Sequence, residues 1–155
     1  MKTKTLVTLG LLFGLASSGS ASPQEDVKKV VESFYAQYYK ECLDKPGKGD
    51  PDKALIRWIT TNSYVSDGFK KAFRKTVLDA RKKDPEMGLG SDPILNAQDW
   101  PSKGYRAKEI QIAASKASVV MEGIDAPDFK VSVELVNNDN KWRINGIGDI
   151  NRSTK

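Results

Sequence analysis

The chain has 155 residues and a formal net charge of +5 at pH 7, from 25 basic and 20 acidic residues. It has one cysteine and no histidine, which excludes an internal disulfide, histidine-based catalytic triads and most zinc sites. So mild a positive charge does not indicate a nucleic-acid-binding protein. The sequence also lacks a glycine-rich phosphate loop and a serine nucleophile elbow, so we expect neither a cofactor nor a metal ion.

The N-terminus has the pattern of a secretory signal peptide over residues 1–21. Two lysines precede an apolar core at residues 6–16, and Gly19 and Ala21 suit the −3 and −1 positions of a cleavage site. That core is too short to span a bilayer, so we expect no transmembrane anchor. The sequence therefore predicts cleavage after Ala21, a single domain over residues 22–155, and export, most simply to the periplasm.

The first half of the remaining chain has the apolar periodicity of α-helices. The first predicted helix runs from Gln24 to about Cys42. Asp50 followed by Pro51 predicts the start of a second helix, which runs to about Ile59. Ser66 or Asp67 then caps a third helix that ends near Lys83, and one face of that helix is a basic stripe interpreted as solvated. The apolar residues of the three predicted helices are Val27, Val30, Val31, Phe34, Tyr38, Leu55, Trp58, Ile59, Phe69, Ala72, Phe73, Val77 and Ala80.

Two features of the first predicted helix concern its chemistry. Cys42 continues the apolar stripe, which favours a small buried side chain over a nucleophile. Tyr35 and Tyr39 lie off that stripe, and packing against the sheet is favoured over lining a pocket.

An irregular segment from Asp84 to Gly104 separates the predicted helices from the C-terminal part of the chain. Its prolines and glycines prevent a long regular element, yet its apolar side chains require burial, as in an ordered functional loop. Residues 92–101 contain two acids, two amides, an indole and two prolines. The candidate site residues are Asp92, Asn96, Gln98, Asp99 and Trp100, with Tyr64 and Tyr105 as candidate phenol partners.

Three interpretations of this segment remain open. In the structural one, the polar side chains satisfy loop backbone groups that no helix or strand can pair. In the recognition one, Asp92 and Asp99 edge a pocket for a cationic or hydroxyl-rich ligand, with Trp100 as a stacking wall. In the catalytic one, a buried aspartate is a general base beside Tyr64 or Tyr105. A calcium site is disfavoured, because the alternating acidic pattern with a terminal glutamate is missing.

From Tyr105 onward the apolar period changes to two, which predicts β-strands. A tight turn near Ser115 and a hairpin turn at residues 137–140 connect them. Gly146 and Gly148 predict a bulge in the last strand. Four sequential strands predict an antiparallel sheet covered on one face by the helices, which is an α+β fold in two layers.

Four short motifs resemble those of a bacterial family, domain of unknown function 3828, over about residues 26–150. They are Val30-Val31-Glu32-Ser33-Phe34-Tyr35, Asp92-Pro93, Ala97-Gln98-Asp99 and Lys141-Trp142-Arg143-Ile144. The order of elements likewise resembles the nuclear transport factor two-like fold, a cystatin-like cone. This resemblance implies a curved sheet around a long helix, often with a pocket at its open end. It implies no catalytic residues.

The sequence therefore predicts an exported binding domain rather than an enzyme, with a small ligand or an envelope protein as its partner. One alternative is an inhibitor or immunity-type protein that blocks another enzyme with residues 84–104. A second alternative is an enzyme resembling the fold's isomerases and dehydratases. A deep apolar pocket with a buried acid favours ligand binding or catalysis, whereas a packed interior with a protruding loop favours the inhibitor. The sequence predicts no particular oligomeric state.

Overall fold

A computed structural model describes residues 22–44 and 49–153, so the predicted signal peptide lies outside the described residues. Helix α1, Pro23–Tyr38, begins after Ser22, whose hydroxyl accepts the N–H of Glu25 at 3.3 Å. The chain then continues as a π-helical turn, Tyr39–Leu43. The predicted first helix is therefore confirmed in extent, but its last turn is wider than an α-helical turn.

The second and third helices begin at the capping residues that the sequence indicates. Helix α2, Pro51–Thr61, follows Asp50, whose carboxylate accepts two N–H groups of the first turn. Helix α3, Asp67–Lys83, follows Ser66, whose hydroxyl oxygen accepts the N–H of Phe69 at 3.1 Å. These contacts satisfy backbone donors that the helices cannot pair internally.

The rest of the domain is one antiparallel sheet in the order β1-β2-β3-β4. Its strands are β1, Tyr105–Ala113; β2, Lys116–Gly123; β3, Lys130–Asn138; and β4, Lys141–Ile147. Asp139 and Asn140 have φ of 55° and 58°, as a two-residue type I′ hairpin turn requires. Three helices packed on a curved four-stranded antiparallel sheet confirm the predicted α+β fold.

Two irregularities in strand pairing bend the sheet. One lies between Ala107 and Glu109 of β1. The other lies in β4, where Glu134 pairs with Gly146 while the next residue of β3 pairs with Ile144. A Cβ on Gly146 would lie 2.9 Å from the backbone oxygen of Asn151, so no side chain fits. The bulge predicted at this end of β4 is confirmed.

The apolar helix faces and one sheet face meet in a single packed core. Several residues predicted to be buried are only partly so, namely Val30, Cys42, Leu55, Trp58, Ala72 and Ala80, and the loop residues Met87 and Trp100 are exposed. The indole N–H of Trp58 donates to the Glu41 carboxylate at 2.7 Å. An indole that reaches a surface carboxylate cannot be fully enclosed. The largest fully buried side chains are Tyr35, Tyr38, Phe34, Phe69, Phe73, Ile59, Ile94, Leu95, Met121, Leu135, Ile144 and Ile147.

Candidate functional site

Asp92 is the centre of the segment from residue 84 to residue 104, called here the 84–104 loop. Its Oδ1 accepts the N–H groups of Ile94 at 2.8 Å and Leu95 at 2.9 Å. Its other carboxylate oxygen accepts the hydroxyl of Tyr38, and its own N–H donates to the carbonyl of Ala97 at 3.0 Å. Both oxygens are therefore occupied by the loop's backbone and by α1.

Two further tyrosines of α1 and the π-helical turn hold the same loop. The hydroxyl of Tyr35 donates to the carbonyl of Ile94 at 3.1 Å, and that of Tyr39 donates to the carbonyl of Pro101 at 2.9 Å. Positions three and four apart lie on one helix face, which explains why residues 35, 38 and 39 reach one loop. The sequence assigned Tyr38 to the apolar stripe, so its role at Asp92 was missed.

The phenols at this site remain protonated at neutral pH. Burial raises the pKa of Tyr35 and Tyr38, and Asp92 raises both further. Burial, followed by the charge of Asp92, also raises the pKa of Tyr105 to about 12. The pKa of the half-buried Cys42 thiol is likewise raised to about 12, chiefly by burial. The phenols are therefore hydrogen-bond donors, and Cys42 lacks the thiolate that a nucleophile needs.

Asp125 holds the C-terminal end of the loop, a role that no sequence motif indicated. It lies in the turn between β2 and β3. Its carboxylate accepts the hydroxyl of Ser102 at 2.6 Å and the N–H of Lys103 at 3.1 Å. The N–H of Ile124 also donates to the carbonyl of Gly104 at 2.9 Å. The loop and this turn thus form one continuous surface.

The outer face of the loop carries the other predicted site residues. Asn96, Gln98 and Asp99 are exposed, and Asn96 has a left-handed φ of 53°. Gln98 donates to the carbonyl of Gly90 at 3.3 Å. Trp100 is 44% exposed. Asp92 and Asp99 do not form a common pocket edge, because Asp92 bonds inward to α1 while Asp99 lies in solvent.

Two further large apolar side chains of the loop and the neighbouring turn are exposed. Met87 is 67% exposed, and Ile124 in the neighbouring turn is 43% exposed. Gly123 and Pro101 are in close contact, since a Cβ on Gly123 would lie 2.5 Å from the ring of Pro101. These two residues adjoin Ile124 and Trp100 in the chain. Five large hydrophobic side chains are exposed in the described part of the chain, and three of them belong to the loop and this turn.

The structure separates the two tyrosines proposed as partner phenols. Tyr64 lies between α2 and α3, and its carbonyl accepts the N–H of Ile144 in β4 at 2.8 Å. Tyr105 begins β1 at the opposite edge of the sheet. Its ring centre lies 5.3 Å from that of Tyr35 and 6.4 Å from that of Tyr39. Tyr105 therefore joins the tyrosines that support the loop, and Tyr64 does not.

A surface cavity of about 510 Å³ lies beside these rings and is called here the tyrosine cavity. Its lining includes Glu32, Tyr35, Tyr39, Asp44, Lys103 and Tyr105. Among residues 22–44 and 49–153, no cluster of three or more histidine, cysteine, aspartate or glutamate side chains is arranged to hold a metal ion. No helix in those same ranges is long and apolar enough to cross a membrane.

Comparison with known proteins gives no sequence match and a loose structural similarity. No protein-family model and no curated protein match the sequence. In structure, the chain is similar to a chain of the type VI effector–immunity complex Tae3–Tai3 from Ralstonia pickettii. The TM-score is 0.36 and the identity 21%, over 68% of this chain and 100% of that chain. A superposition this loose transfers neither a fold nor a function.

Proposed function

We propose that this protein binds another protein through the exposed face of the 84–104 loop, in the manner of an inhibitor or immunity protein. One observation carries the proposal: the loop is fixed from beneath by polar contacts while it presents an indole and a thioether to solvent. A loop that is ordered before binding loses less conformational entropy on association. Its partner would meet a preformed surface that includes an exposed aromatic residue.

The anchoring extends along the whole loop. At its start, the guanidinium of Arg81 donates to the carbonyls of Pro85 at 2.9 Å and Glu86 at 3.3 Å. In its middle, the side chains of Ile94 and Leu95 are fully buried. These contacts add to those of the α1 tyrosines, so the conformation of the loop does not depend on a partner.

The exposed face has the composition of a protein-binding surface. Tryptophan is enriched among the few residues that contribute most of the binding energy at interfaces, and methionine adapts to irregular surfaces. Trp100 and Met87 provide both, and Ile124 extends the apolar area. The exposed carboxylate of Asp99 follows the pattern of a polar rim beside an apolar centre.

The inhibitor-type function is favoured over an isomerase or dehydratase by the state of Asp92. A general base needs a carboxylate oxygen within reach of a substrate proton. Both oxygens of Asp92 already accept hydrogen bonds, from two loop amides and from Tyr38. A proton taken up by Asp92 would weaken the hydrogen bonds through which its carboxylate holds the loop.

Export to the periplasm belongs to the same proposal. The sequence pattern of residues 1–21 supports a signal peptide removed after Ala21. The mature chain would then begin at Ser22, the residue that caps α1. The partner is accordingly expected in the cell envelope. Membership of domain-of-unknown-function family 3828, and its nuclear transport factor two-like cone, also remain proposals that rest on the sequence motifs.

Affinity capture from envelope extract tests the proposed interface. Wild-type protein and Ile112→Ala, which truncates another exposed isoleucine far from the loop, are expected to retain the same partner. Trp100→Ala is expected to weaken binding by at least about 30-fold, as for a residue worth about 2 kcal/mol at an interface. Circular dichroism confirms that all three proteins are folded. Equal capture of the partner by Trp100→Ala would show that the loop face is not the interface.

A further inference from the structure

A surface groove between α2 and α3, called here the α2–α3 groove, exposes apolar side chains away from the 84–104 loop. Its volume is about 460 Å³, and its apolar lining comes from Ile56 of α2 and Leu78 of α3. Ile56 packs partly against the core, whereas Leu78 is 41% exposed. In the described part of the chain, only Leu78 and Ile112 are exposed large hydrophobic residues outside the loop and its neighbouring turn. The fold therefore leaves an apolar patch uncovered between two helices.

The charged residues of this groove all have the same sign. Lys53 and Arg57 of α2 and Arg74 of α3 line it, and no acidic residue of the described chain does. Lys53 forms an ion pair with Asp50 at 3.5 Å. Within the same described residues, Arg57 and Arg74 form no ion pair. Two guanidinium groups beside the apolar patch are thus left for an anionic partner.

The acidic side chains that α2 and α3 carry nearby are already paired with other basic residues. The carboxylate of Asp52 accepts the guanidinium of Arg81 at 2.6 Å. That of Asp79 forms an ion pair with Lys75 of the same helix. These carboxylates do not neutralise the groove, so its local charge favours an anion.

The other polar side chains of the groove use their hydrogen atoms within α2. The hydroxyl of Thr60 donates to the carbonyl of Ile56 at 2.6 Å. The hydroxyl of Thr61 donates to the carbonyl of Arg57 at 3.0 Å. The groove would therefore recognise an anion through its guanidinium groups, and their planar donors match both oxygens of a carboxylate.

The shape of the groove favours a protein segment over a small molecule or a bilayer. Six of its seven lining residues are exposed, whereas small-molecule pockets enclose most of their ligand. A bilayer surface takes up apolar side chains that protrude from a helix face, and this apolar patch lies between two helices. An amphipathic segment can place an apolar side chain in such a groove and carboxylates beside it.

We propose that the α2–α3 groove binds an acidic amphipathic segment of a partner protein. Apolar side chains of that segment contact Ile56 and Leu78, and its carboxylates pair with Arg57 and Arg74. The inference is independent of the loop-face interface, because no residue of the 84–104 loop lines the groove.

Titration with designed peptides, followed by amide chemical shifts, tests the site. The probe is a helix-forming peptide of about 18 residues with leucines along one face and glutamates on the other. In one control peptide lysine replaces every glutamate, and in a second serine replaces every leucine. Saturable shifts of the groove residues are expected with the probe, and at least about tenfold weaker binding with either control peptide. No saturation with the probe, or equal affinity for a control peptide, overturns the proposal.

Decanoate and vesicles that contain phosphatidylglycerol test the two other occupants. Both carry negative charge next to hydrocarbon, as the proposed segment does. The probe is expected to shift the groove residues at lower concentration than decanoate, and the vesicles are expected not to sediment the protein. Groove shifts with decanoate but none with the probe would assign the groove to a lipid and overturn the proposal. Sedimentation with vesicles that Arg57→Gln abolishes would do the same.

Substitutions in the groove and two matched controls examine the same contacts. Arg57→Gln combined with Arg74→Gln is expected to lower affinity for the probe at least about tenfold and to weaken its dependence on salt. Leu78→Ala is expected to lower it about fivefold. Lys83→Gln and Ile112→Ala, which change an exposed charge and an exposed apolar side chain outside the groove, should leave it unchanged. Circular dichroism confirms folding, and wild-type affinity in the folded double variant contradicts the proposal.

Discussion

The sheet and the 84–104 loop each have a defined conformation, but different interactions hold them. Along β3, Val131, Val133 and Leu135 are buried while the residues between them are less so. Burying these side chains fixes the strand's register, because a shift by one residue would expose them all. The loop has no such period. Hydroxyl groups 54, 59 and 62 residues away in sequence hold it instead.

This difference changes what each region tolerates. Apolar burial is non-directional and depends on volume, so the sheet is sensitive to the loss of large side chains. A polar anchor depends on single atoms, because removal of one partner leaves the other buried and unpaired. An irregular segment can therefore be held in one conformation without an apolar period, provided that distant polar groups bond to it.

The largest expected effect on stability is a difference between two tryptophans, one in the core and one on the loop surface. Trp142, on β4, is 9% exposed, so Trp142→Ala is expected to lower the free energy of unfolding by about 3–5 kcal/mol. Trp100, on the loop surface, is the matched control. Trp100→Ala should change the free energy of unfolding by less than about 0.5 kcal/mol. Denaturant midpoints of both variants measure the difference. A cost below about 1 kcal/mol for Trp142→Ala would contradict its place in the core.

A smaller loss of stability is expected when a single hydroxyl oxygen, that of Tyr38, is removed. Tyr38→Phe leaves the ring in the core but removes the donor to Asp92, at an expected cost of about 1–3 kcal/mol. Tyr64→Phe is the control away from the loop. A double-mutant cycle with Asp92→Asn isolates the contact, and we expect a coupling energy above about 0.5 kcal/mol. Additive costs would show that the two side chains do not support each other.

The smallest effect concerns pH and the far end of the loop. Hydrogen bonds from Ser102, then from the Lys103 amide, lower the pKa of Asp125 below its usual 3.8. A lowered folded-state pKa means that this contribution to stability is present above the unfolded-state pKa. It is lost as the pH falls through the folded-state pKa. Amide chemical shifts of Ser102 and Lys103 are therefore expected to change below about pH 4.

A control variant distinguishes this titration from general acid unfolding. Asp125→Asn has no carboxylate to protonate, so the same two amides should lose this acid-dependent change. If they still titrate in the variant while the core remains folded, another group is responsible. If neither amide shifts in the wild-type protein below that pH, the anchor at Asp125 contributes nothing measurable.

Much of the fold was predictable because its signals are local. Asp50 and Ser66 marked two helix starts, since a side-chain oxygen before a helix satisfies its first amides. The apolar alternation from Tyr105 onward marked the strands. The order expected of residues 84–104 followed from apolar residues such as Ile94, which is fully buried.

The site was only partly predictable. The sequence identified Asp92 as a central residue of the loop, but the hydroxyl beside it belongs to Tyr38 rather than Tyr64 or Tyr105. The apolar periodicity of the first helix indicates that Tyr38 faces the interior, but it cannot show where the Tyr38 hydroxyl points. The contribution of Asp125 had no signal at all, because its partners at Ser102 and Lys103 are brought close only by the folded sheet.

By itself, the sequence determined the helix caps, the strand pattern, the hairpin turn and the α+β class, because each depends on residues close together in the chain. It also placed the polar loop between helices and sheet. Only the tertiary structure decided that Asp92 bonds inward while Asp99 and Trp100 lie outside. It also decided that Tyr35, Tyr39 and Tyr105 line one surface cavity. Those outcomes depend on directional contacts between distant residues, and local pattern carries no information about them.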